Sequence, residues 1–317
     1  MSWTEPRARD FSIRSPRLSR SLLGSSGNPD SAPPNRESRT RNLTDTALTQ
    51  AARASFGNAQ PDRLRVILDS LVCHLHSFIS EVELTEEEWL DGIEFLTETG
   101  RITDDQRQEF ILLSDTLGAS MLVIGLNHRI DDTATESTVF GPFFVEDSPR
   151  FENGDDIACG APGEICVVNG RVLSTSAEPI PGARIDVWQA DDEGLYDVQY
   201  DDLASARARG HLFSSSNGVF WFQTIRPRSY PIPTDGPVGR LLRAAGRSPM
   251  RPAHIHFRIA AAGYETLTTH LFAAGDPFLD TDAVFGVKES LVVPFDTSED
   301  GKCVLEYDFV LARTRAQ

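Results

Sequence analysis

The chain has 317 residues, 40% hydrophobic and 24% charged, which allows one large domain or two modest ones with a core that needs no covalent staples. A net charge of −17 repels phosphate backbones and anionic lipid, so neither nucleic-acid binding nor membrane insertion is expected. No apolar run reaches the roughly 20 residues of a membrane-spanning helix, and no continuous apolar signal segment opens the sequence, so export is not expected either.

Residues 1–41 hold eight Arg against four acidic residues and are rich in Ser and Pro without periodicity, which predicts a disordered N-terminal extension. Arg and Ser also suit a mitochondrial transit peptide, but Glu5, Asp10 and the prolines count against one. The four cysteines, Cys73, Cys159, Cys166 and Cys303, form no C-x-x-C pair and no zinc spacing, and are expected to be free, mostly buried thiols in a reducing compartment.

Residues 42–135 read as a helical layer. Leu64, Ile67, Leu68, Leu71, Leu75, Phe78, Ile79 and Val82 recur at three and four residues along one helical face, with Pro61 in its first turn. Thr85 and Glu88 form a capping-box pattern that opens a second helix, which Gly100 can close. Thr103 with Gln106 repeats the device before Phe110, Leu113, Leu117 and Met121.

From about residue 136 the apolar period becomes two, in stretches such as "EICVVNGRVL", "ARIDVWQA", "GVFWFQTI" and "HIHFRIA" separated by Gly/Pro-rich turns. Short strands with long loops and no intervening helices predict an antiparallel β-sandwich over 136–317. The fold class is therefore α+β, a helical layer followed by a sandwich.

The sharpest local feature is "RPAHIHFRI". On a strand His254 and His256 project to one face, near enough to share a metal ion, while Ile255, Phe257 and Ile259 face the core. His74 and His76 have the same spacing inside a helical pattern, where residues two apart diverge, so that pair cannot chelate. Two histidines do not complete a site. The neighbourhood offers no H-E-x-x-H helix and no cysteine pair, but "DEGLYDVQYDD" and "RPRSYPIP" set tyrosines beside turns. A trivalent ion stabilises a phenolate, and hard anionic oxygen with imidazole suits iron(III). A half-buried structural ring remains the ordinary role for each tyrosine.

From about Leu112 to Phe295 the chain resembles the intradiol ring-cleavage dioxygenases, most closely the branch that acts on hydroxyquinol. The motifs are "GPFF", "PIPGARIDVWQADDEGLYDVQY", "YPIPTDGPVG", "RPAHIHFRI" and "DAVFGV", in order. The resemblance implies one iron(III) per chain, held by Tyr196, Tyr230, His254 and His256, with Tyr196 chosen over Tyr200 by the G-x-Y pattern after Gly194. Tyr196 and His254 would be equatorial, Tyr230 and His256 axial, with a hydroxide completing the site. Both oxygen atoms of O2 would enter a dihydroxylated ring opened between its two oxygen-bearing carbons. Tyr230 would leave the metal as a base, and Arg251 would stabilise charge accumulating on the ring.

The matching pocket positions are Leu112, Asp115, Val139, Phe140, Gly141, Pro142, Phe143, Ile232, Pro233 and Val284, together with Arg251 and His270. Asp115, a carboxyl among apolar groups, calls for a donor such as a third substrate hydroxyl. Thr268-Thr269-His270 follows the hydroxyquinol-type pattern, where catechol-type members carry Gln at the last position. The implied activity is cleavage of hydroxyquinol (1,2,4-trihydroxybenzene) to maleylacetate or its tautomer 3-hydroxy-cis,cis-muconate. The alternative is catechol cleavage to cis,cis-muconate. The family also implies a homodimer through the N-terminal helices, around a bound lipid, and a cytoplasmic location. Outside the family, a zinc hydrolase using H-x-H and a metal-free binding module are the competing readings.

Overall fold

A computed structural model describes residues 43–104, 107–128, 133–200, 203, 205–298 and 301–314. The expected disorder of residues 1–41, and Gln106 of the proposed third cap, lie outside them. Thr103 of that cap does not open a helix: the next one begins at Glu109 with Gln108 as N-cap, and the Thr103 hydroxyl donates to the Thr99 carbonyl at 2.7 Å. The chain divides into two compact units, Met1–Leu84 and Thr85–Gln317.

In the first unit, α1 spans Asp45–Ser55 and α2 spans Asp62–Glu81. The Thr44 side chain caps α1, and Pro61 stands at the N-cap of α2, one residue before the first turn. A two-pronged Arg53–Asp69 pair joins the helices, with both contacts at 2.7 Å. His76 Nδ1 meets Thr49 Oγ1 at 2.9 Å while His74 is exposed, so the two histidines do diverge. The periodic residues Leu64, Ile67, Leu71, Leu75, Phe78 and Ile79 are all exposed, and α2 has no buried residue.

In the second unit α3 spans Glu86–Arg101, opened by the Thr85–Glu88 capping box. Gly100 does not close it, since the helix continues to Arg101 and Ile102 is the C-cap. The apolar run after residue 108 makes two helices, α4 (Glu109–Thr116) and α5 (Ala119–Asn127), bent by 77°. Gly118, with φ +74°, turns the chain between them. These helices were expected with the layer 42–135, yet they belong to the same compact unit as the strands. A short α6 (Pro237–Ala244), absent from the sequence reading, explains the attachment. Pro237 suits its first position, and the Glu109 carboxylate reaches across from α4 to accept from the Val238 N–H at 3.0 Å.

The strands are β1 (Ile165–Ser174), β2 (Arg184–Trp188), β3 (Arg209–Phe213), β4 (Val219–Ile225), β5 (Tyr230–Pro231), β6 (Met250–Arg251), β7 (His254–Ala260), β8 (Leu267–Ala273), β9 (Val292–Val293), β10 (Asp296–Thr297), β11 (Cys303–Glu306) and β12 (Phe309–Leu311). One five-stranded sheet runs β10-β11-β1-β12 with β4 on the other edge of β1, and a second runs β3-β2-β7-β8-β9. β5 and β6 form a separate pair.

The sheets are mixed, which corrects the antiparallel expectation: β1 runs parallel to β11 and β12, and β8 runs parallel to β9. Alternation in sequence says which face is buried and carries no information on strand direction. Connections as long as the one from β1 to β11 let the chain return either way.

Val168, Ile185, Val187, Phe220, Phe222, Ile255, Phe257, Ile259 and Phe309 fill the space between the sheets. The opposite face of the second sheet carries Trp188, His256 and His270 in one cross-strand row, since Trp188 pairs with His256 and His256 with His270. Two cysteines distant in sequence meet in the core. Cys166 and Cys303 are in register on β1 and β11 with sulfurs 2.8 Å apart, whereas Cys159 is exposed and Cys73 half-buried. Among the described residues no single helix is long and apolar enough to cross a membrane.

Candidate active site

Three separate pieces of chain deliver the four proposed ligands. His254 and His256 project from β7 with Nε2 atoms 3.2 Å apart. Tyr230 leads β5, whose partner β6 pairs Tyr230 with Arg251. Tyr196 lies in the turn after β2. There Asp191 Oδ1 accepts from the Glu193 and Leu195 amides, and the Tyr196 N–H donates to Gln199 Oε1. Gly194, with φ +80°, makes this turn possible, and a Cβ there would stand 2.7 Å from Tyr230 Cβ. That glycine is therefore the point where the two tyrosine loops touch. Tyr200 stays outside and donates to Asp191 Oδ2 at 2.7 Å.

The result is a compact donor cluster. Tyr196 Oη lies 2.9 Å from Tyr230 Oη, 2.8 Å from His256 Nε2 and 3.5 Å from His254 Nε2. Tyr230 Oη lies 3.5 Å from His254 Nε2. All four residues are buried. His254 Nδ1 is 2.6 Å from the Pro252 carbonyl, so it carries the proton and leaves the Nε2 lone pair aimed at the cluster. His256 is held by stacking on Trp188, with centroids 4.7 Å apart and planes at 18°. A buried Arg209–Asp197 pair fixes the residue after Tyr196, and Phe143 stacks on the Tyr196 ring at 4.3 Å.

Burial sets the protonation of the cluster. Burial raises the Tyr196 hydroxyl well above its usual pKa, with the neighbouring Tyr230 adding to the effect, and burial raises Tyr230 against the opposing charge of Arg251. Burial, then the Arg251 charge, pushes His254 down to about 3, and His256 and His270 also fall well below the usual imidazole value, chiefly by burial. All these groups are neutral donors, and a multivalent cation among them favours the phenolates and spares the imidazole lone pairs. Counting only the described His, Cys, Asp and Glu side chains, His254, His256 and His270 form the group whose nitrogens lie close enough together to hold a metal ion.

Arg251 is buried, with Nη1 3.1 Å from His254 Nε2 and Nε 3.1 Å from Asp282 Oδ1. Leu112, Val139, Ile232 and Val284 pack into one apolar cluster with Val238, Leu242 and Ala283. Asp115 is buried on α4 and bonded to Ser120, and its carboxyl is raised by burial against that bond. Gly141 has φ +74°, and a Cβ there would meet His256 Cε1 at 3.2 Å. Leu112, Pro142, Phe143 and Pro233 line a cavity of about 410 Å³ together with Arg107 and Gln108. Phe140 departs from this group: it is exposed and packs on Phe144. His270 lies beside His256, the ring centroids 4.1 Å apart, its Nδ1 bonded to the Thr138 hydroxyl and its Nε2 without a hydrogen-bond partner.

Sequence reasoning missed Asp282, Trp188 and the Arg209–Asp197 pair. Asp282 and Trp188 lie in motifs already recognised, but a residue that touches another side chain rather than a substrate leaves no spacing signal.

Comparison with known proteins gives the family. Residues 139–313 match a family model described as "Dioxygenase", and 61–135 match "Catechol dioxygenase N terminus". A 6-chlorohydroxyquinol 1,2-dioxygenase of Cupriavidus pinatubonensis is 53% identical, over 84% of this chain and 97% of its own length. A hydroxyquinol 1,2-dioxygenase of Nocardioides simplex is 55% identical, over 80% of this chain and 86% of its own. The crystal structure of hydroxyquinol 1,2-dioxygenase from Pseudomonas putida DLL-E4 superposes with a TM-score of 0.80 at 48% identity, covering 85% of this chain and 99% of that one. With a family model spanning more than half its length and relatives above 50% identity over most of it, the chain belongs to the intradiol ring-cleavage dioxygenase family.

Proposed function

We propose that this protein opens hydroxyquinol between its adjacent hydroxyl-bearing carbons with dioxygen, giving maleylacetate or its tautomer 3-hydroxy-cis,cis-muconate. The observation that carries the proposal is the buried convergence of two phenol oxygens and two imidazole nitrogens, His254 Nε2 having its tautomer preset by Pro252. This donor set fits one iron(III) per chain on Tyr196, Tyr230, His254 and His256. When bound, iron(III) supplies Lewis acidity toward two adjacent phenol oxygens and a redox-active centre for dioxygen.

The residues of the chain do the rest. Tyr230, the less embedded of the two, would be held as a phenolate when the metal is bound, and its Oη would then accept a substrate proton and become the neutral phenol. Tyr196 stays in place, held by its turn and by Phe143. Arg251 directs a fixed positive charge into the cluster, where it stabilises electron density building on the ring. Leu112, Val139, Ile232 and Val284 exclude water, and the Asp115 carboxyl accepts the third hydroxyl of the substrate. His270 backs His256 from the neighbouring strand. Gly141, Pro142, Phe143 and Pro233 complete the wall, with Phe140 at its rim.

Relatives bearing the hydroxyquinol name support the substrate. The exposed apolar row of α2 supports a homodimer through the N-terminal helices with lipid between them, and the family's usual location is the cytoplasm. The deciding experiment is an aerobic assay of iron-loaded protein on hydroxyquinol and catechol in parallel, with product identification. Equal rates, or a preference for catechol, would give the assignment to catechol 1,2-dioxygenase.

A further inference from the structure

We infer that Asp282 is a positioning residue that aims Arg251 into the site and influences ring opening through that guanidinium. The inference rests on the role proposed above for Arg251. Arg251 ends in three nitrogens on a flexible stem, and a stem of that length does not by itself hold a direction. Asp282 takes two of them: Oδ1 accepts from Nε at 3.1 Å and Oδ2 from Nη2 at 3.5 Å. The remaining nitrogen, Nη1, is left 3.1 Å from His254 Nε2, on the side of the tyrosines.

Asp282 is itself immobilised. Its Oδ2 accepts from the Gly286 N–H at 2.8 Å and its Oδ1 from the Val284 N–H at 3.3 Å, and it is 5% exposed. Gly286 keeps the space open, since a Cβ there would lie 3.1 Å from Asp282 Oδ2 and 3.2 Å from Arg251 Nη2. Burial opposes charge on both partners, yet their attraction and the Gly286 amide keep the carboxyl below its usual range and the guanidinium above. From the other side Arg251 is anchored by its β6 backbone, which pairs with Tyr230. One carboxylate thus links a ligand-bearing strand pair, the charged donor and the loop that supplies Val284 to the apolar wall.

A carboxylate so placed could also serve only as a cap for residues 282–286, and a double-mutant cycle separates the two roles. The iron-loaded unmodified chain, Asp282→Asn, Asp282→Glu, Arg251→Ala and Arg251→Ala/Asp282→Asn are titrated anaerobically with hydroxyquinol by visible spectrum, then assayed for turnover. Asp282→Asn should keep its iron and form the substrate complex at concentrations close to the unmodified chain, while kcat falls about 10–100-fold. Asp282→Glu, which keeps the charge, should recover part of that loss. In the Arg251→Ala background Asp282→Asn should cost no more than about twofold. Losses that multiply in the double variant, or an Asp282→Asn kcat within twofold of the unmodified chain, overturn the inference. Should Asp282→Asn fail to hold iron, the same cycle with Asp282→Ser, which also removes the charge, decides by the same criterion. An unmodified chain without ring-cleaving activity would instead refute the proposed function itself.

Discussion

The phenol oxygens of Tyr196 and Tyr230 lie 2.9 Å apart, and the Tyr196 oxygen alone also lies within 3.5 Å of both His254 Nε2 and His256 Nε2. With both hydroxyls protonated, that distance is a hydrogen bond between the two phenols; two phenolates so close would need a cation between them. The pair is also asymmetric, because Tyr196 is at the centre of the donor cluster and Tyr230 at its edge.

The asymmetry predicts different losses. Purified protein should bind about one iron(III) per chain and be coloured by phenolate-to-iron charge transfer. Tyr196→Phe should weaken iron retention and lose the visible band both at rest and with substrate. Tyr230→Phe should keep iron more readily and slow substrate ionisation, and its anaerobic substrate complex should look like that of the unmodified chain. The reverse pattern in that titration would exchange the two roles, and an unchanged spectrum in both variants would remove these tyrosines from the metal.

The metal-free protein should become acid-sensitive well before its carboxylates titrate. His254, His256 and His270 are held neutral by burial, with His254 lowered to about 3, while an unfolded imidazole titrates near 6.5. The unfolded chain therefore binds more protons below pH ~6.5. The stability these residues allow is fully present above that value and is lost as pH falls toward the folded pKa. The loss is at most about 1.4 kcal/mol per histidine for each pH unit. Urea unfolding of chelator-treated protein at pH 8, 6.5 and 5.5 measures it, and His270→Asn should flatten the slope. Stability independent of pH over that range would contradict the burial of three neutral rings. At pH 8 the chelated protein should stay folded, because the core between the sheets is built without the ligands.

Asp115→Ala should erode discrimination between hydroxyquinol and catechol. A paired buried polar contact contributes roughly 1–3 kcal/mol, which corresponds to about 5–150-fold in the ratio of kcat/KM values. Parallel assays on both substrates give that ratio directly. An unchanged ratio would leave Asp115 as a partner of Ser120 and nothing more.

Cys166 and Cys303 should form a disulfide under a thiol oxidant. Their sulfurs are 2.8 Å apart on directly paired residues, and the bridge would tie β1 to β11 across most of the second unit. Diamide treatment should remove two thiols titratable after denaturation and raise stability by about 2–4 kcal/mol, reversibly with dithiothreitol. Cys166→Ser should abolish both changes. Four thiols remaining after treatment would show that burial keeps the oxidant out.

The candidate site was legible where chemistry and local geometry coincide. A two-residue period puts His254 and His256 on one face of any strand, and the same spacing at His74 and His76 is empty on any helix. Both outcomes follow from backbone geometry alone. The Thr85–Glu88 capping box is equally local, since both hydrogen bonds close within four residues. Tyr196 and Tyr230 were reached only through family motifs, because nothing local makes a tyrosine a ligand.

What the chain encodes in short stretches is therefore determined by the sequence itself: strand faces and helix starts. Strand direction, the 77° break between α4 and α5, the small helix α6 and the attachment of α3–α5 to the sheets depended on the tertiary fold. So did the Arg251–Asp282 pair and the meeting of Cys166 with Cys303, whose partners are 31 and 137 residues apart. Pairings at such separations are selected by the packing of the whole core, through burial and loop closure summed over many residues, and no window of sequence contains that sum.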